Sequence, residues 1–160
     1  MDLRTYQASA LETALPTARN FDYLIPGLIA EIGECFGKVA KARRDEWTDD
    51  RLNDELVKEW GDCAWMAAVA LHVAGTHGDD DGFADCYTSR GDAMSAALEY
   101  AILAHDITTP GRELLDVWCS LRDGAKVVTG KPFDEVLQVN IDKLADRANR
   151  GVLGGSGDTR

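Results

Sequence analysis

Two long runs of apolar residues at helical spacing, separated by a short polar break, do most to restrict what this chain can fold into. Leu24, Leu28, Ile32, Phe36 and Val39 recur roughly every 3.6 residues and lead into the basic stretch Lys41 to Arg44, which suits a helix C-terminus. Trp47-Thr48-Asp49-Asp50 then supplies capping residues. Beyond it Leu52, Leu56, Trp60, Cys63, Met66, Ala67 and Ala70 mark a second long helix ending near Gly75. Helices joined by so few residues are expected to fold back on one another.

The remaining segments keep the same period. Asp2 to Leu15 reads as a short amphipathic helix through Leu3, Tyr6, Ala10 and Leu11, interrupted by Pro16. After a Gly- and Asp-rich turn, 75–81, an Ala-rich helix is expected from about Asp92 to His105, closed by Thr108-Thr109-Pro110-Gly111. Further helices run from Glu113 to Val128 and, past Gly130-Lys131-Pro132, from Phe133 to about Arg150. Pro26, near the start of its helix, is expected to cost little because an amide there has no partner to lose. With no alternating β pattern and no internal repeat, the expected fold class is all-α, a helical bundle forming a single domain over residues 1–160. The Gly-rich tail 151–160 is expected to be extended or mobile.

Charge narrows the partners. The 160 residues are 45% hydrophobic, enough for one core, and carry 28 acidic against 17 basic residues, a net charge of -11. Such a chain is not expected to grip nucleic acid or anionic lipid through phosphate contacts. A small polyanion is still an acceptable ligand if a divalent cation neutralises the acids that face it. Cys35, Cys63, Cys86 and Cys119 form no C-x-x-C pair, which leaves buried free thiols as the expectation rather than a zinc or redox site. The N-terminus lacks an apolar signal core, and the longest apolar run, Ala64 to Ala74, contains His72 and is too short to span a bilayer; no membrane partner and a cytoplasmic location are expected.

The polar faces of the two long helices carry the chemistry. Glu31 and Glu34 lie three residues apart, about 60° around the helix, and Lys38 continues that face one turn later. Glu55, Glu59 and Asp62, at spacings of four and three, form a column on the next helix. If the helices pack antiparallel the two acidic stripes converge into hard oxygen ligands suited to magnesium or manganese. Gly33, Gly37 and Gly61 interrupt these helices at a cost of about 1 kcal/mol each, and close approach of another helix or a substrate is the expected reason.

Gly27-Leu28-Ile29-Ala30-Glu31-Ile32-Gly33-Glu34 with Lys38, followed by Glu55-Leu56-x-x-Glu59-Trp60-Gly61-Asp62, resembles the Glu-x-x-Glu plus Glu-x-x-Asp signature of MazG-like nucleotide pyrophosphohydrolases. Tyr6-Gln7 and Thr13-Ala14 resemble that family's first helix, and Asn140-x-x-Lys143-Leu144-x-x-Arg147 with the Gly-Ser-Gly-Asp-x-Arg ending resembles its closing helix and tail. The likeness covers roughly two thirds of the chain. It departs in the middle, 78–112, which looks like an insertion. The resemblance implies magnesium-dependent cleavage of nucleoside triphosphates to the monophosphate and pyrophosphate, with Glu31, Glu34, Glu59 and Asp62 as metal ligands and catalytic carboxylates. It also implies Lys38, Lys143 and Arg147 as phosphate-binding cations, Asn140 as a hydrogen-bonding partner of sugar or phosphate, and assembly as a homodimer or homotetramer.

Of the tryptophans Trp47, just outside a helix, is the least core-like and the expected stacking surface for a base, whereas Trp60, Trp65 and Trp118 are expected in the core. His72, His77 and His105 have no spacing that suggests a shared metal. A carboxylate-bridged di-iron bundle would need Glu-x-x-His, and no Glu here has His three residues later. The other alternative is a non-catalytic helical module that binds nucleotides or partners through 78–112.

Overall fold

In the computed structural model, which describes residues 1–78 and 86–153, four helices begin on a side-chain cap that the sequence supplies at the right place. Asp2, Asn20, Thr48 and Ser89 accept hydrogen bonds from the amides of Thr5, Tyr23, Arg51 and Asp92, satisfying donors that a helix start otherwise leaves open. The helices are α1 (Leu3–Thr13), α2 (Phe21–Arg44), α3 (Asp49–Val73), α4 (Arg90–His105), α5 (Gly111–Thr129) and α6 (Phe133–Asn149), with a 3-10 turn at Pro16–Ala18. The described residues contain no strand, so the chain is all-α. None of these helices is long and apolar enough to cross a membrane.

Pro26 is the sixth residue of α2, beyond the amides that a helix start leaves free, so it does remove a backbone bond. The carbonyl that Pro26 cannot bond in the i to i−4 pattern is that of Asp22, an exposed residue.

The α2 and α3 helices pack antiparallel. Lys38 meets Glu55 near one end of the pair, and a Cβ on Gly27 would stand 3.0 Å from the Met66 methyl towards the other. A second pair, α4 and α5, packs through α5 onto α3 and through α4 onto α2, while α1 and α6 close over the remaining side of α3. Ala67 to Leu71 are buried at five successive positions, so every face of that stretch of α3 is covered. Tyr6, Trp60, Trp118 and Phe133 supply much of the core around it, and the Trp60 indole N–H donates to the Leu121 carbonyl at 2.9 Å.

The middle of the chain is not an appendage. Ala93, Met94, Ala97, Ala101 and Ala104 of α4 are buried in the common core, and a Cβ on Gly124 would come within 2.8 Å of the Ala93 methyl, so α4 and α5 touch closely. Within 78–112, residues 79–85 lie outside the described residues, as do residues 154–160 of the expected mobile tail. Cys35, Cys63 and Cys119 are buried free thiols and Cys86 is an exposed one.

Candidate metal and phosphate site

Because α2 and α3 run antiparallel, the Glu-x-x-Glu face of one comes to lie opposite the acidic column of the other. Glu31, Glu34 and Glu59 each bring a carboxylate oxygen within 4.8 Å of the other two. They line a cleft of about 540 Å³ that is walled by α2, α3 and α6 and bordered by the segment around Leu15 and Ala18. Three hard oxygen donors at this separation fit the ligand chemistry of a magnesium or manganese ion, which takes carboxylates and completes its shell with water and phosphate.

The electrostatics show what holding these acids together costs. Burial, and then the charges of Asp62, Glu34 and Glu59, raise the Glu31 carboxyl from its ordinary 4.5 to about 7. Lys38 is drawn between Glu55 and Glu59 at 2.6 and 3.1 Å. Its partial burial alone would lower its pKa, but the bonds from those two carboxylates outweigh this and raise it. Glu55 accepts from Lys38 and also from Lys58 at 2.7 Å, which holds its carboxyl down near 2. Asp62 stands beside the triad rather than in it: Lys143 Nζ lies 2.5 Å from both of its oxygens, and Asn140 Nδ2 donates to Oδ1 at 2.8 Å. Tyr6 O–H donates to Asn140 Oδ1 at 2.8 Å. Burial, with the Asp62 charge second, pushes the Tyr6 phenol well above its ordinary value, so it stays a donor.

Glu31, Glu34, Glu59, Asp62, Lys38, Lys143 and Arg147 all line the one cleft. Asn140 does not. It is 2% exposed and lies beneath the acids, with Tyr6 on one side of its amide and Asp62 on the other. Trp47 is also elsewhere, partly buried against the core with the Arg51 guanidinium 4.0 Å above its ring. Gly61 has the expected close neighbour, since a Cβ there would stand 2.9 Å from Asn140 Cβ, but Gly33 and Gly37 face open space. The Asp158 and Arg160 end of the family-like tail lies outside the described residues.

Glu55, read in the sequence as part of the acidic column but given no role, lines the cleft too, and among the residues that sequence reasoning passed over are Lys58, Tyr23 and Trp65. Trp65 is fixed by its indole N–H, which points to the Ala10 carbonyl at 3.2 Å and Thr13 Oγ1 at 3.1 Å, and its side chain is half-buried in the cleft lining. A signal for it was present, because Trp65 follows Asp62 at i+3 and so extends the column Glu55, Glu59, Asp62 by one turn.

Compared with protein-family models, curated proteins and solved structures, the chain matches none.

Proposed function

We propose that the cleft is the active site of a magnesium-dependent hydrolase that cleaves nucleoside triphosphates between the α and β phosphates, releasing a monophosphate and pyrophosphate. The observation that carries this reading is the convergence of Glu31, Glu34 and Glu59 within 4.8 Å of one another in a cleft that also presents Lys38, Lys143 and Arg147. An acidic cluster alone would repel a polyphosphate. Acids that hold a cation, ringed by basic side chains, would bind one.

In this reading Glu31, Glu34 and Glu59 hold magnesium, with Asp62 as the fourth carboxylate, and manganese is an acceptable substitute. Bound magnesium supplies charge neutralisation at the phosphates and a more acidic water. Glu55 holds Lys38 in place beside Glu59, so that the ammonium is preset at the edge of the triad for a phosphate oxygen. Lys143 and Arg147, one turn apart on α6, meet the phosphates from the other wall. Trp65, with Leu15, Ala18 and Tyr23 lining the same cleft, offers the apolar surface that a base needs, the role that the sequence suggested for Trp47. Assembly into two or four copies belongs to the same reading and is tested by sedimentation of the purified chain.

The activity test uses a panel of canonical and modified ribo- and deoxyribonucleoside triphosphates with magnesium. Expected are pyrophosphate and monophosphate in equal amounts, loss of turnover with chelator, and a fall in kcat of about a hundredfold or more in Glu34→Gln and Glu59→Gln, which is about 3 kcal/mol of barrier. Turnover unchanged in both variants, or none across the panel, sinks the proposal.

A further inference from the structure

Asp62 is held differently from the three glutamates beside it. One of its oxygens, Oδ1, accepts from Asn140 Nδ2 at 2.8 Å as well as from Lys143, whereas Oδ2 is met by Lys143, from the cleft side. Asn140 reaches Asp62 from inside the protein and is 2% exposed. Behind it stands Tyr6, fully buried, its ring tilted against Trp118 with centroids 5.8 Å apart.

This chain of bonds has one self-consistent direction. Facing the Asp62 carboxylate, which bonds Lys143 through both oxygens, the Asn140 amide turns its N–H side outward and its carbonyl inward. The inward carbonyl then needs a donor, and the Tyr6 hydroxyl is that donor at 2.8 Å. Reversing the amide would set carbonyl against carboxylate in a buried place, where mismatched polar groups cost most.

The backbone is arranged for the same contact. A Cβ on Gly61 would come within 2.9 Å of Asn140 Cβ and 3.3 Å of its Nδ2, so α6 lies this close to α3 only because residue 61 has no side chain. Asn has a short side chain, and its reach to Asp62 depends on that approach.

We infer that Tyr6 and Asn140 are positioning residues of the cleft: the buried chain Tyr6 to Asn140 to Asp62 fixes the Asp62 carboxylate by Oδ1 at the edge of the glutamate triad, with Oδ2, bonded to Lys143, as the oxygen that a cation would take over from that ammonium. The inference rests on the divalent-cation reading of the cleft with Asp62 as its fourth carboxylate. It moves Asn140 from substrate contact to orientation of a ligand, and gives Tyr6, on a helix that does not supply an acid to the site, a role in metal affinity.

The test titrates Mn²⁺ into the purified full chain by calorimetry, without nucleotide, alongside thermal melting of each variant. Tyr6→Phe removes one buried oxygen and keeps the ring. It is expected to melt cooperatively and to raise the Mn²⁺ dissociation constant about tenfold, the lower end of what losing an outer partner of a metal ligand does. Asn140→Leu is expected to shift it further in the same direction, and if that variant does not fold, Tyr6→Phe carries the test. A merely structural role would lower the melting temperature and leave the Mn²⁺ constant in place; that result in a folded Tyr6→Phe overturns the inference, as does failure of the unaltered chain to bind Mn²⁺. Triphosphate turnover of the unaltered chain is scored separately. Mn²⁺ binding without hydrolysis contradicts the proposed activity, while the ratio of the two dissociation constants still decides the positioning role.

Discussion

Glu31 is kept where an ionised carboxylate is least comfortable, partly buried and facing Asp62, Glu34 and Glu59, and its pKa is raised to about 7 for those reasons in that order, burial first. An acid whose folded-state pKa lies above the ordinary 4.5 binds its proton more tightly in the folded chain, so stability is full below pH 4.5 and is lost as the pH rises towards 7. Glu31→Gln removes the ionisation. After discounting for the solvent that still reaches the side chain, the variant is expected to be more stable than the unaltered metal-free protein by about 1 to 2 kcal/mol at pH 8, and no more stable at pH 4. Adding magnesium at pH 8 should raise the melting temperature of the unaltered protein and narrow the gap, because a ligand that binds only the folded state stabilises it. Chemical denaturation at the two pH values checks this; a variant less stable than its parent at pH 8 would contradict the electrostatic account. Such a trade of stability for a charged cluster is what a functional site is expected to show.

At the scale of elements, the glycines separate two physical situations that look alike in the sequence. Gly61 sits where α6 crosses α3, and a methyl group there meets Asn140; Gly33 and Gly37 sit in α2 with nothing within 4 Å of where a Cβ would be. Gly33→Ala and Gly37→Ala are therefore expected to stabilise the chain by about 0.5 to 1 kcal/mol each, through helix propensity and a less flexible unfolded chain. Gly61→Ala is expected to destabilise it and to weaken Mn²⁺ binding by displacing Asn140. Equilibrium unfolding of the three variants distinguishes the two classes, and stabilisation by Gly61→Ala would show that the α3–α6 approach has been misjudged. The long helices were legible because each has a strong apolar period, bounded by the basic stretch Lys41 to Arg44 and by the capping segment that contains Thr48, whereas the Asn20 cap emerges only in the structure. The acidic stripes were legible because i, i+3 and i+4 spacing fixes which residues share a face. The bond between Tyr6 and Asn140 was not, since it joins residues 134 positions apart and buried pairing at that range leaves no periodic mark in a single sequence. Trp47 misled for a related reason: a position just outside a helix says nothing of which side of the bundle it faces, and this one packs beside Arg51 instead of opening on the cleft.

For the molecule as a whole, α3 is the axis on which the rest depends. It meets α1, α2, α5 and α6, carries Glu55, Glu59, Asp62 and Trp65 along one face, and buries every residue from Met66 to Leu71. The cleft opens where α2, α3 and α6 come together, so acids from α2 and α3 and cations from all three helices converge on it, an arrangement on rigid elements that favours preset geometry. The α4 helix belongs to this body through its buried alanines and Met94. An insertion read only as a departure from a familiar pattern did not reveal that, because a row of alanines marks close helix packing without naming the partner. In the proposed function the three glutamates and the surrounding cations serve attack of water on a phosphorus of the triphosphate, with cleavage of the bridge between the α and β phosphorus atoms. The most direct measurement is phosphorus NMR of a magnesium-containing reaction, followed to completion with the purified chain. Pyrophosphate and nucleoside monophosphate signals are expected to grow in step, with no orthophosphate or nucleoside diphosphate, and about a hundredfold or more slowly in Glu59→Gln. Orthophosphate appearing with nucleoside diphosphate, or an unchanged triphosphate spectrum for every nucleotide tried, would contradict the proposed function.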